Sequence, residues 1–266
     1  MQDRISIEIE NGIADVRMIR ADKMNALDDA MLQALAETAD QLKQDKSVRV
    51  VVLSGEGKAF CAGLDMGNFA KLVEQPDADG LGDLMARTHG VSNLFQYVSY
   101  AWRELPVPVI AALHGVAFGG GFQIALGADI RYAAPETRFS IMEIKWGLVP
   151  DMAGTQLMRH LASDDIVREL CYTGRVFEAD DARSYGFVTH VVANPRAEAM
   201  ALAAQIARRS PDAVAANKRL LNAAPYLSVA EGFLMESQEQ KDVIGKPNQL
   251  EAVMSELEQR APNYQT

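Results

Sequence analysis

Three consecutive glycines, Gly119–Gly121, constrain the fold of this chain more than any other feature of its sequence. The apolar run Val107–Leu113 precedes them and the apolar stretch Phe122–Leu126 follows. A strand that enters a glycine turn and then opens a helix exposes free backbone N–H groups at the positive end of that helix. Glycine also allows positive φ and a close approach between backbone and ligand. The pattern therefore predicts a strand, a tight turn and a helix start that can bind a phosphate or an oxyanion.

Two carboxylates follow this turn along the chain. Glu143 lies among apolar neighbours, and Asp151 ends a Gly-Leu-Val-Pro-Asp segment. A buried acid is rare, and removing a carboxylate from water makes it more basic. An anion-binding turn with two acids nearby suits proton transfer next to a carbonyl group. Spacing alone leaves open a plain strand-to-helix crossing with two solvated acids, and Pro150-Asp151 is also typical of an ordinary turn or helix cap.

Composition narrows the functional classes. The chain has 266 residues, 48% of them hydrophobic, which suffices for one large core with or without an appendage. A formal net charge of −10 argues against a nucleic-acid partner, because such proteins carry a clustered basic face. The two cysteines, Cys61 and Cys171, form no disulfide pattern, and the four histidines have no metal-binding spacing. Without a signal-peptide core or a membrane-spanning run, a soluble cytoplasmic protein is expected.

Hydrophobic periodicity predicts strands alternating with helices in the first two thirds of the chain. A hairpin is expected around Asn11-Gly12, and Asp28 is a plausible N-cap for the helix that follows. Residues 67–82 have the composition of a loop or lid. Apolar positions from Leu84 to Trp102 indicate one long helix. Further elements are expected as a strand at 48–53, a strand at 107–113, short helices at 156–161, 165–172 and 178–185, and a last strand at 187–192.

From Pro195 onward the sequence is helical in character throughout, with breaks near residues 210, 225 and 246. Alternating strands and helices before that point, and helices alone after it, predict an α/β region followed by an α-helical one. We therefore divide the chain into a core that carries the active site, residues 1–195, and a C-terminal segment, residues 196–266.

The glycine stretch, together with Phe60–Asp65 (FCAGLD) and Lys23–Leu27 (KMNAL), resembles the crotonase family of enoyl-CoA hydratases and isomerases. The resemblance runs from about Ile5 to the C-terminus. It implies an α/β fold in which ββα repeats form a spiral, with C-terminal helices that cover the active site. It further implies assembly into a homotrimer or a dimer of trimers.

The resemblance also implies a binding site for an acyl-CoA thioester. The backbone N–H groups of Leu64 and Gly120 correspond to the family's oxyanion hole, and Glu143 corresponds to its catalytic acid. The resemblance implies no metal, flavin or nicotinamide. Coenzyme A is part of the substrate and is therefore not counted as a cofactor. The residues expected to bind substrate and coenzyme A are Lys23, Met24, Ala26, Ala62, Gly63, Asp65 and Met66.

Gln123 departs from the family pattern. Hydratases of the family have a Glu at this position, and an amide cannot act as a base, although it can orient water or substrate. Dienoyl-CoA isomerases have acids that match Glu143 and Asp151, but an Asp at the position of Gln123. The three residues Gln123, Glu143 and Asp151 are the catalytic candidates. A double-bond shift is favoured over hydration of a 2-enoyl-CoA, which remains the alternative.

A rival from another class is a non-catalytic or RNA-binding relative, since some crotonase relatives bind RNA through a lysine-rich helix. The matching segment here, Asp28–Lys46, has only Lys43 and Lys46 among several acids. A surface of this composition does not favour the binding of a polyanion such as RNA. We therefore expect no nucleic-acid partner and no membrane association.

Overall fold

A computed structural model of the chain describes residues 3–68 and 83–265. Its larger sheet has six strands in the order β1-β2-β3-β4-β6-β9, and a smaller sheet has three in the order β5-β7-β8. Among the strands that the structure describes, only the pairs β1–β2 and β7–β8 are antiparallel. The strands are β1 Ile5–Glu10, β2 Ile13–Met18, β3 Val50–Gly55, β4 Val109–Leu113, β5 Val116–Phe118, β6 Ile130–Ala133, β7 Arg138–Ser140, β8 Phe177–Glu178 and β9 His190–Val191.

Helices cover the sheets and make up the C-terminal part of the chain. The α-helices with both ends described are α1 Asp29–Gln44, α2 Leu94–Glu104, α3 Gly120–Gly127, α4 Gly154–Met158, α5 Asp164–Thr173, α6 Ala179–Tyr185, α7 Pro195–Ala207, α8 Pro211–Ala223, α9 Val229–Val243 and α10 Pro247–Leu257. Short 3-10 helices span Ala21–Lys23, Met142–Trp146 and Ala224–Tyr226. Among these described residues, none of the helices is long and apolar enough to span a membrane.

The expected ββα repeats explain why there are two sheets. Strand β4 lies in the larger sheet, the chain turns at Gly115, and β5 joins the smaller sheet before α3 returns. The next repeat has the same order: β6 lies in the larger sheet, β7 lies in the smaller sheet, and the 3-10 helix Met142–Trp146 follows them. Four buried phenylalanines, at 122, 139, 177 and 187, pack in edge-to-face, stacked or tilted pairs with ring centroids 5.3–6.2 Å apart. They join α3 to the smaller sheet and so fix where the glycine turn lies.

The first helix of the C-terminal segment packs directly on the larger sheet. Small residues of α7, Ala199, Ala203 and Ala207, are buried against Val50 and Ile110 of the sheet face. Helix α8 is tied to the core by Lys218, which donates to the carbonyls of residues 102 and 107 and to Asp129. Helix α7 therefore shares a core with the sheet and α8 is tied to it, and the division into residues 1–195 and 196–266 stays a prediction.

Two predicted elements are much shorter in the structure than expected. The long helix predicted from Leu84 begins only at Leu94, because Asn93 and Gln96 form a capping box that starts the helix there. The predicted strand at 187–192 reduces to His190–Val191. Most of the expected loop at 67–82 lies outside the described residues, which resume at residue 83.

Candidate active site

The glycine turn joins β5 to α3 in a conformation that suits only glycine. Gly119 has φ 51° and ψ −119°, and its N–H donates to Ser140 of β7 over 2.9 Å. A Cβ on Gly121 would stand 2.4 Å from the carbonyl oxygen of Cys61. Gly120 is the first residue of α3, so its N–H has no acceptor within the helix.

The second glycine loop runs beside the first. Cys61 pairs with Ala117 of β5 through backbone hydrogen bonds of 3.1 Å on either side. Two residues later Gly63 has φ +90°, and a Cβ on it would lie 3.8 Å from the nitrogen of Gly120. Among the described residues, the N–H of Leu64 has no backbone acceptor. The two predicted N–H donors, Leu64 and Gly120, therefore belong to adjacent backbone segments.

Both segments line a cavity of about 650 Å³. The predicted site residues found in its lining are Lys23, Met24, Ala26, Ala62, Gly63, Leu64, Asp65, Met66, Gly120, Glu143 and Asp151. Gly119 of the predicted glycine turn also lines the cavity, whereas sequence reasoning missed the remaining lining residues, which are Asp22, Leu84, Phe95, Phe118, Met142, Trp146, Leu148, Val149 and Met152. Most of the missed side chains are apolar, and an apolar run such as Trp146-Gly-Leu-Val149 does not reveal by itself whether it faces a core or a ligand.

Glu143 lies in the first turn of the 3-10 helix that follows β7. The residue is 9% exposed. Its Oε1 accepts a hydrogen bond of 2.6 Å from Gln123, whereas Oε2 is buried without a hydrogen-bond partner in the described part of the chain. Burial raises the pKa of this carboxyl group, and the charge of Asp151 adds to the effect. A carboxylate of raised pKa is a stronger base than an ordinary one, which suits it to accept a proton.

Gln123 is the one predicted site residue that the described cavity lining does not include. Its side chain is 1% exposed, and both of its polar atoms bind protein groups. Nε2 donates to Glu143, while Oε1 accepts from the N–H groups of Met152 and Gly154 over 2.9 and 2.8 Å. The expectation that this amide orients water or substrate is therefore corrected: it orients Glu143 and the turn after Asp151.

Asp151 lines the same cavity as Glu143, close enough for its charge to act on that carboxyl group, but it is exposed at the surface of the chain. Enough protein surrounds its carboxyl group that desolvation raises its pKa. The turn that holds it includes Ala153 at φ 63°, a conformation that costs a non-glycine residue of order 1 kcal/mol. Asp151 is not the helix cap that the sequence also allowed, because Ala153 occupies the N-cap position of α4.

The wall on the other side of the glycine turn from Glu143, called the opposite wall, is built by the 3-10 helix Ala21–Lys23, the loop that follows it and the segment around Asp65. Met24 and Asn25 both have positive φ, and the Asn25 amide holds this conformation by donating to the carbonyls of Glu56 and Ala59. Asp65 accepts from Arg20 over 2.6 Å and from the N–H of residue 67 over 2.7 Å. Its carboxylate thus fixes the loop next to Leu64.

Histidine, cysteine and acidic side chains do not form a metal-binding group of three anywhere in residues 3–68 and 83–265. The chemistry that this cavity offers comes from backbone donors, two carboxylates of raised pKa and an apolar wall.

A sequence profile described as "Enoyl-CoA hydratase/isomerase" matches residues 8–266. The chain belongs to the enoyl-CoA hydratase/isomerase family.

Relatives within this hydratase/isomerase family differ in reaction. The chain is 36% identical to a carnitinyl-CoA dehydratase of Proteus mirabilis, over 91% of each chain. It is 32% identical to the human mitochondrial Delta(3,5)-Delta(2,4)-dienoyl-CoA isomerase, over 83% of this chain and 69% of the relative. A solved structure of an enoyl-CoA hydratase from Bacillus anthracis superposes with a TM-score of 0.87 at 30% identity, covering 98% of both chains. The predicted crotonase family and fold are confirmed.

Proposed function

We propose that this protein shifts a carbon–carbon double bond of an enoyl- or dienoyl-CoA through a thioester enolate. The observation that carries the proposal is the arrangement of one cavity. Two neighbouring backbone N–H groups, those of Leu64 and Gly120, and a buried carboxylate, Glu143, all belong to its lining.

The proposed oxyanion hole consists of the N–H groups of Leu64 and Gly120. Gly120 opens α3, whose aligned peptide dipoles add a partial positive charge at that end. Donors fixed in this way stabilise negative charge as it develops on the thioester oxygen, and losing one such donor typically costs about 10²–10³ in rate. Because these donors belong to the backbone, their alignment depends on the loops that hold them, including the Arg20–Asp65 ion pair.

Proton transfer is assigned to Glu143. With a 3-enoyl-CoA, the carboxylate accepts the proton at C2 as the C2–H bond breaks, and the electron pair moves onto the thioester oxygen. The conjugated enolate then takes a proton at C4, which forms a C4–H bond and leaves the double bond between C2 and C3. The oxidation level is unchanged, so the reaction needs no redox cofactor, and coenzyme A enters only as part of the substrate.

Asp151 is assigned the return of a proton further along a dienoyl chain. Its position in the same cavity as Glu143, and its raised pKa, support this role. Because its pKa is raised, this carboxylate takes up a proton more readily than an ordinary aspartate and can pass it to the distant carbon of an extended enolate.

The opposite wall is assigned to coenzyme A. Lys23 supplies a cation there, and Met24, Ala26, Ala62, Gly63 and Met66 supply backbone and apolar surface. Asp65 supports this wall through Arg20 rather than through a free carboxylate. We further propose a homotrimer or a dimer of trimers as the functional assembly.

Hydration of a 2-enoyl-CoA, or the reverse elimination of water, is the second candidate. It is favoured by the identity of 36% to a carnitinyl-CoA dehydratase. In this reaction Glu143 and Asp151 would activate water for attack at C3 and deliver a proton to C2.

A panel of three substrates separates the candidates. Crotonyl-CoA, a 3-enoyl-CoA and a 3,5-dienoyl-CoA are each incubated with the protein, and the absorbance of the conjugated thioester is followed. A double-bond shift creates conjugation from the 3-enoyl-CoA, whereas hydration removes it from crotonyl-CoA. Turnover of crotonyl-CoA alone would replace the proposed reaction by hydration, and no turnover of any of the three would overturn the assignment as an enzyme of this class.

A further inference from the structure

The two walls of the cavity differ in charge, and the difference bears on which acyl groups fit. Among the described lining residues, Lys23 is the only basic side chain. It lies in the loop that runs to Leu27, and Gly120 separates this loop from the wall of Met152, because a Cβ on Gly120 would lie 2.8 Å from Cδ1 of Leu27 and 2.6 Å from Sδ of Met152. The acids Glu143 and Asp151 belong to the other wall.

The acyl chain must lie along the acidic wall. If the thioester oxygen binds the N–H groups of Leu64 and Gly120, the carbons that exchange protons have to lie within reach of Glu143. The coenzyme A portion then leaves along the wall of Lys23. This step rests on the proposed function, because it uses the position of the thioester.

The wall along which the acyl chain lies is called the acyl wall. Apart from Glu143 and Asp151, its described side chains are apolar. They are Phe95, Met142, Trp146, Leu148, Val149 and Met152. The nearest cation by sequence, Lys145, is not part of the lining, and its Nζ lies 5.1 Å from the centroid of the Trp146 ring. A negative group at the end of the acyl chain would therefore meet two carboxyl groups and an apolar surface, without a counter-ion from the described lining.

We infer that this site selects acyl-CoA thioesters whose acyl chain carries no negative charge, and that Asp151 contributes to the rejection of dicarboxylic acyl groups. Two effects act together. Like charges repel across a cavity of low polarity, and a carboxylate moved from water into apolar surroundings without a partner loses hydration free energy. Uncharged acyl chains meet neither penalty.

Binding of unreactive saturated thioesters tests this inference separately from catalysis. Glutaryl-CoA carries a terminal carboxylate, 5-amino-5-oxopentanoyl-CoA is its uncharged amide of nearly equal shape, and hexanoyl-CoA is an apolar chain of similar length. Free coenzyme A serves as the reference ligand. Dissociation constants are measured by titration calorimetry on the full-length protein.

Glutaryl-CoA should bind roughly tenfold more weakly than the amide, which corresponds to a modest like-charge repulsion in a partly screened cavity. Glutaryl-CoA binding as tightly as the amide would overturn the charge selection and leave the proposed function intact. If neither hexanoyl-CoA nor the amide binds more tightly than coenzyme A, the cavity does not take acyl groups and the proposed function falls with the inference.

Two variants separate charge from shape. Asp151→Asn should bring the ratio of the two dissociation constants closer to one, whereas Asp181→Asn, an exposed position on α6 outside the cavity, should leave the ratio unchanged. Val149 lines the cavity and is 70% exposed, so Val149→Lys can add a cation at the rim and should favour glutaryl-CoA, with Val149→Met as the uncharged control. An unchanged ratio in both Asp151→Asn and Val149→Lys would overturn the electrostatic explanation.

Discussion

Gln123 donates a hydrogen bond of 2.6 Å from Nε2 to Oε1 of Glu143, and its own Oε1 accepts from the N–H groups of Met152 and Gly154. One amide thus positions both the buried acid and the turn that follows Asp151. An ionised carboxylate needs a donor and two backbone N–H groups need an acceptor, and an amide supplies both at once. A carboxyl group in place of this amide can do so only while it or Glu143 keeps a proton.

Replacing Gln123 by Glu should raise hydration of crotonyl-CoA and lower double-bond isomerisation. The new carboxyl group can still accept from Met152 and Gly154, while its second oxygen lies beside Oε1 of Glu143. Two carboxyl groups this close share a proton, so one of them can act as acid and the other as base. Both rates are measured against the native protein over a pH series. Unchanged hydration in a folded variant would mean that a second carboxyl group at this position is not what hydration requires.

Replacing Glu143 by Gln should lower turnover of all substrates by about 10²–10⁴, the usual contribution of a positioned acid–base group. The amide keeps the volume and can still accept from Gln123, so the dissociation constant for hexanoyl-CoA should stay nearly unchanged. Glu136→Gln, at an exposed position after β6, is the matched control and should retain native rates. If Glu143→Gln keeps native turnover, Asp151 becomes the only candidate acid.

The same Glu143→Gln variant should be more stable than the native protein at neutral pH. Burial raises the pKa of Glu143 above its ordinary value of 4.5, so the folded state binds this proton more tightly than the unfolded state does. The group therefore contributes stability below pH 4.5 and loses that contribution as the pH rises through its raised pKa. The difference in Tm between variant and native protein should shrink as the pH falls below the ordinary glutamate value. A Tm difference that does not change with pH would contradict the raised pKa.

The exposed apolar side chains of α9 and α10 predict association of several copies. Phe233, Leu234 and Leu257 are 64%, 72% and 75% exposed in the single chain, and covering such surface is a main driving force of association. Light scattering at micromolar concentration should give the mass of a trimer or a hexamer. Leu234→Glu should lower that mass, whereas Gln240→Glu on the same helix should not. A native protein that runs as a monomer would contradict the assembly.

The sequence predicts most of the glycine turn and its surroundings because the signals there are local. Three glycines between apolar runs determine where a strand ends and α3 begins, and the resemblance of Phe60–Asp65 to a family motif identifies the second loop. The start of α2 is different. Apolar periodicity continues back to Leu84, but the reciprocal hydrogen bonds of Asn93 and Gln96 begin the helix ten residues later than that periodicity suggests.

The position of Gln123 could not be predicted in the same way. Its three partners lie 20, 29 and 31 residues further along the chain, so no local pattern connects them. Comparison with family hydratases shows only that an amide replaces a carboxyl group at this position, whereas the hydrogen bonds in the structure show that the amide holds Glu143 in place. The apolar acyl wall was missed for a related reason, since Trp146, Leu148 and Val149 have the composition of ordinary core residues.

Replacing Asp151 by Asn should slow isomerisation of a 3,5-dienoyl-CoA much more than the shift of a single double bond from C3 to C2. Removing the acid eliminates the proposed donor to the distant carbon of the extended enolate, while Glu143 can still serve the nearby carbons. We expect a loss of about 10² for the dienoyl substrate and less than about tenfold for the 3-enoyl substrate. Because Asp151 is exposed at the surface, the variant should fold as the native protein does, which a thermal melt verifies. Equal losses on both substrates would instead assign Asp151 a general role in positioning Glu143, because the two carboxyl groups interact electrostatically.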